Sequence, residues 1–176
     1  MSSASRLAPL EQVLADRGEW SDEVTHRFIE DFGHLAGPSG ISIAQAEEIF
    51  LETKRWLWFC AHRKHEFDQG RVAFAHLPLA SEAMVIDLMW HTFLLFTKDY
   101  SDFCHRHFGF FIHHYPMTRA QKQAAADAQE RDPSGFRAQR MTELRPVYEY
   151  IHDVLGRDVL VRWLDEFPKK YASFST

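Results

Sequence analysis

Asp87 and His91 lie four positions apart in the segment Asp87-Leu88-Met89-Trp90-His91. On a helix this spacing stacks both side chains on one face, one turn apart. A carboxylate and an imidazole so placed can share a divalent cation. Equally, the carboxylate can hydrogen-bond the imidazole and set its tautomer. Eleven histidines are many for 176 residues, and five of them (91, 105, 107, 113 and 114) fall in one short stretch. The adjacent pair His113-His114 therefore draws the eye next. Neighbouring residues in extended chain point opposite ways, so one of the two is expected to face His91, and His113 is the one favoured. Asp87, His91 and His113 would then form a two-histidine, one-carboxylate set. Such a set holds non-haem iron when positions stay open, and zinc when it is tetrahedral. Iron or zinc is the cofactor expected, with no organic cofactor.

Tyr100 and Cys104 are again one helical turn apart. With His114 they are the candidate catalytic groups near the metal set. A Cys–His nucleophilic pair needs an activated thiolate, and no oxyanion motif accompanies this one. Cys104 is favoured as a small core residue over a thiol lining the same cavity. His62-Arg63-Lys64-His65-Glu66 has His and Glu at helical spacing but lacks the His pair four apart of a zinc-protease helix. It is expected at a solvated helix end, as are His105 and His107, while Lys54, Arg55, Arg63 and Lys64 are expected on a solvated helix face.

The elements that must position these residues are helical. Leu10–Asp16 forms a short helix stopped by Gly18, and Ser21 is expected to cap a second one. Ser42 and Gln45 make a capping box that opens a long helix to about Glu66, with a break at Gly70. Val72–Phe74 is a candidate extended piece, and His76-Leu77-Pro78 is a loop. Ser81 caps a helix running to about Leu95. It is apolar over most of its circumference, so it is central, and Asp87 and His91 are expected to point inward. A break near Phe96, with Thr97 as a fresh cap, starts a helix that ends at Gly109. Thr118 and Gln121 form a second capping box. Asp132-Pro133-Ser134-Gly135 reads as a loop, followed by helices at about Arg137–Leu155, kinked near Pro146, and Asp158–Phe167. The fold class expected is all-α: a compact single-domain bundle of seven to eight helices spanning 9–176, behind a flexible tail over 1–8.

Composition sets the bounds. At 45% hydrophobic and 26% charged the chain is globular, not disordered. Fifteen Phe and five Trp promise closely packed helix interfaces. A net charge of −5 argues against nucleic acid, which requires a basic footprint. No run of about 18 apolar residues marks a membrane span. The N-terminal residues lack a signal-peptide pattern, so a cytoplasmic location with Cys60 and Cys104 reduced is expected.

The series Asp87, Trp90-His91, Tyr100, Phe103-Cys104, Gly109 and His113-His114-Tyr115-Pro116 resembles the glycine-rich-domain-containing-protein-like family, in its bacterial form without the glycine-rich extension. The resemblance covers about 76–116. Where such proteins often carry an Asp-Glu-x-Trp-His type sequence, this chain has Asp-Leu-Met-Trp-His, without the second acid. The resemblance marks the region and implies no reaction.

Two readings follow. In one, the chain is a divalent-metal-binding protein, supporting hydrolytic or oxidative chemistry on a small molecule. In the other it is a non-catalytic helical interaction module that binds a protein, with the Trp-His segment as a structural lock.

Overall fold

The computed structural model describes residues 7–73 and 84–175. Every regular element in them is helical, so the fold is all-α. Among the described residues no helix is long and apolar enough to cross a membrane. The expected loop His76-Leu77-Pro78, the Ser81 cap and residues 1–6 of the expected tail lie outside the described residues. Val72 and Ala73 are irregular chain, and Phe74 again falls outside.

The chain divides into two units: one runs to Ile112 and resumes at Arg162, and the other is His113–Val161. The first contains α1 (Leu10–Ala15), α2 (Glu19–Phe32), α3 (Ile43–Asp68), α4 (Met84–Leu95) and α5 (Thr97–Phe108). Its C-terminal part is a π-helical turn, Arg162–Glu166, followed by α9 (Phe167–Lys170). The second contains α6 (Arg119–Arg131), α7 (Pro133–Leu155) and α8 (Arg157–Val161).

Helix α3 is the axis of the first unit. Ser42 Oγ accepts from the Gln45 backbone N–H at 3.2 Å, while Gln45 Oε1 accepts from the Ser42 N–H at 2.9 Å. This reciprocal pair satisfies donors that helix ends otherwise leave open. Around α3 the aromatic residues converge on Phe93. Trp20 stacks on its ring at 5.0 Å, while Phe50, Tyr100 and Phe103 meet it edge-on at 5.1–5.5 Å. Both offset-stacked and edge-to-face contacts suit the ring quadrupole, so one residue can anchor four neighbours.

Several helix ends differ from expectation for identifiable reasons. Helix α2 starts at Glu19 after Gly18, and Ser21 lies inside it and is buried. Thr97 is the first residue of α5 and not its cap, because the chain turns at Phe96. Gly109 ends α5 with φ 77°, a left-handed conformation open to glycine at little cost. The segment 132–135 is no loop: Pro133 is the first residue of α7, where its missing N–H costs nothing, and Asp132 accepts from the Gly135 N–H at 2.9 Å. Pro146 sits inside α7 as expected.

The chain is anchored before α1. The Ala8 N–H donates to His107 O at 2.8 Å, and Trp58 Nε1 donates to Ala8 O at 2.9 Å. Ala8, the last residue of the tail expected over 1–8, is therefore held by hydrogen bonds through both its N–H and its carbonyl.

Candidate functional site

The buried face of α4 is Val85, Ile86, Met89, Trp90, Thr92 and Phe93. This leaves Asp87, Leu88 and His91 on the other side of the helix, all partly exposed. The inward orientation expected for Asp87 and His91 is thus corrected. A helix with apolar residues nearly all round still has one less buried side, and the polar pair takes it. His91 Nδ1 lies 3.5 Å from Asp87 Oδ2, with the two side chains 43% and 23% exposed. At that distance the contact is longer than a good hydrogen bond.

Trp90 and His91 are neighbours in sequence, yet they face different environments. Trp90 is buried, and its Nε1 donates to Tyr100 Oη at 3.0 Å. Tyr100 is fully buried and donates in turn to Ile112 O at 2.7 Å. This relay ties α4 through α5 to the last residue before His113. Each buried polar group in it has a partner, which removes a penalty of about 1–3 kcal/mol per group. The turn at Phe96 makes the relay possible, since it returns Tyr100 towards Trp90.

Tyr100 and Cys104, the expected catalytic candidates, belong to this buried relay. Burial raises the Tyr100 phenol well above its ordinary value, the neighbouring Cys104 adding to it. Burial likewise pushes the Cys104 thiol up to about 11, partly offset by hydrogen bonds to the Ile112 backbone and Tyr100. A nucleophilic cysteine needs the opposite shift, so the chemistry available to Cys104 is that of a core thiol. His113 is exposed and its ring lies 6.1 Å from that of Tyr115, while His114 is half-buried.

Three polar clusters escaped the sequence reading. His107, expected at the surface, is 2% exposed, and its Nε2 lies 2.6 Å from Asp16 Oδ2, which also accepts from Arg106 at 3.0 Å. Lys54, expected on a solvated face, is buried. Its Nζ donates to Leu14 O at 3.0 Å and Asp16 O at 2.9 Å. Glu52 is 1% exposed and accepts from Trp163 Nε1, Arg162 and Arg55 at 2.8, 2.8 and 3.0 Å. Their partners are 38 to 111 positions away in sequence, except Arg55. The one local signal was an acid at i−3 to Arg55 inside an apolar stripe.

Fold and site together define an all-α protein in which one helix carries a partly exposed Asp/His pair and a buried tryptophan hydrogen-bonded to Tyr100. More particularly, the chain belongs to the UCP032817-like family, whose model matches residues 41–141 of 176 and so contains α3, α4 and α5 whole. No curated protein and no solved structure matches the chain.

Proposed function

We propose that the protein binds one divalent metal ion at Asp87 and His91, each offering one ligand atom. The observation that carries the reading is the 3.5 Å separation of His91 Nδ1 and Asp87 Oδ2. An ion about 2.0–2.1 Å from each donor spaces adjacent ligands roughly 3.0–3.4 Å apart, depending on geometry. The pair thus has nearly the spacing of two ligands of one ion, and exceeds that of a direct hydrogen bond.

The remaining positions on the ion go to water or substrate. With zinc, such a water ionises near neutral pH and supports hydrolysis; with ferrous iron, the same set supports oxidation. The substrate on this reading is a small molecule reaching a solvent-facing site. We also propose kinship with the glycine-rich-domain-containing-protein-like proteins, since the Asp, Trp-His, Tyr, Phe-Cys, Gly and His-Pro series lies within the matched span.

The test is elemental analysis of tag-free full-length protein after separate loading with zinc and ferrous iron. About one equivalent of one metal per chain is expected. His91→Ala should lose it while keeping its circular dichroism and melting temperature, and His113→Ala should keep it. No bound metal after either loading would end the proposal. A second reading, the non-catalytic interaction module, draws on the buried Trp90–Tyr100–Ile112 relay and predicts metal-free protein with unchanged stability after His91→Ala.

A further inference from the structure

A second feature of the first unit lies apart from the Asp87/His91 face. A cavity of about 340 Å³ is bounded by residues of α1, α2 and α3 and by Arg17 between the first two. On its wall are Lys54, Glu47, Glu48, Arg17, Ser21 and Thr25. Arg17, Glu47 and Glu48 are already engaged: Arg17 pairs with Glu47 at 2.8 Å, and Glu48 accepts from Tyr171 at 2.8 Å and Lys170 at 2.5 Å.

Lys54 differs from these. It is 98% buried by its 2% exposure, and it lies on the cavity wall. Its nitrogen makes two hydrogen bonds, to Leu14 O and Asp16 O. An ammonium group has three donors to satisfy, whereas a neutral amine has two N–H groups and a lone pair. Two carbonyl acceptors therefore complete the neutral amine and leave its lone pair unused. In the charged form one N–H has only the Phe50 ring, at 5.6 Å, to meet it.

Burial outweighs the one charged group that opposes it. Burial lowers the Lys54 pKa to about 8; Asp16 opposes the shift and Arg17 adds to it. Glu47 and Glu48 face the cavity but are tied to Arg17 and to Lys170 and Tyr171. A desolvated lysine in a cavity is the arrangement that makes amines nucleophilic at neutral pH.

We propose that this cavity is a second ligand site, in which Lys54 forms a reversible imine with a small aldehyde or ketone. The Lys54 lone pair adds to the carbonyl carbon, and the C=O electron pair moves to oxygen, which takes the proton released from nitrogen. Loss of the resulting hydroxyl as water, with the second amine proton, gives the C=N bond. The sum is amine plus carbonyl giving imine plus water, and it needs no oxidant or reductant. The two carbonyls of Leu14 and Asp16 hold the nitrogen in place for the addition.

The test uses full-length protein, propanal and cyanoborohydride at pH 8, with peptide mapping of reductively alkylated lysines over time. About half of a lysine with a pKa near 8 is neutral at that pH, against well under one in a hundred for an ordinary lysine near 10.4. Lys98 is the internal reference, because Asp102 beside it holds its pKa above the ordinary value. Lys54 is expected to be alkylated at least tenfold faster than Lys98, with a midpoint near pH 8. In urea the preference should vanish. Equal or slower labelling of Lys54 in the folded protein would overturn the proposal and leave the residue a clamp on α1. The wild-type measurement decides the matter even if Lys54→Met fails to fold.

Discussion

Replacing Tyr100 by Phe removes one oxygen from the centre of the first unit and leaves the ring. The ring keeps its edge contacts with Phe93 and Phe111, both at 5.1 Å, so aromatic packing is unchanged. What disappears is the acceptor for Trp90 Nε1 and the donor to Ile112 O. Each loss leaves a buried group short of a bond, at a cost of about 1–2 kcal/mol, so the variant should lose roughly 2–4 kcal/mol. For a chain of this size each kcal/mol lowers the melting temperature by about 2–4 °C, giving a fall of roughly 5–15 °C. Scanning calorimetry and urea unfolding both read this. Because burial holds the phenol protonated far above neutrality, the loss should be the same at pH 6 and pH 9. A melting temperature within about 1 °C of wild type would refute the reasoning, since it would mean the hydroxyl has no structural role.

Two further perturbations probe the interior. Glu52→Ala leaves Arg162, Arg55 and Trp163 without their shared carboxylate. Removing one partner of a buried ion pair costs about 3–5 kcal/mol, to be read from the urea midpoint; a loss below about 1 kcal/mol would show the π-helical turn to be held by other contacts. Cys104, with its thiol pushed up to about 11, should have about one thiolate in a thousand at pH 8. Iodoacetamide labelling of native protein should therefore be at least a hundredfold slower than in urea, and should rise with pH up to that value. Rapid labelling at pH 7 would contradict the buried position.

Local sequence determined the helices themselves. The capping boxes at Ser42/Gln45 and Thr118/Gln121, the glycine at 109 and the turn near Phe96 are all written in adjacent residues, because helix starts and stops depend on groups within one turn. The same locality put Asp87 beside His91. Errors at Ser21, Thr97 and 132–135 concern boundaries, where a neighbouring residue competes for the same capping position.

Which way the side chains face was decided only by tertiary structure. The hydrophobic pattern of α4 is nearly all-round, so it carries little directional information, and the outward position of Asp87 and His91 depends on what covers Trp90 and Phe93. His107 and Lys54 are charged-type residues, whose default place is solvent. They are buried here because Asp16 and the carbonyls of α1 meet them from across the fold. Burial of a polar side chain requires a partner, and the partner's identity is a property of long-range packing that no local spacing records.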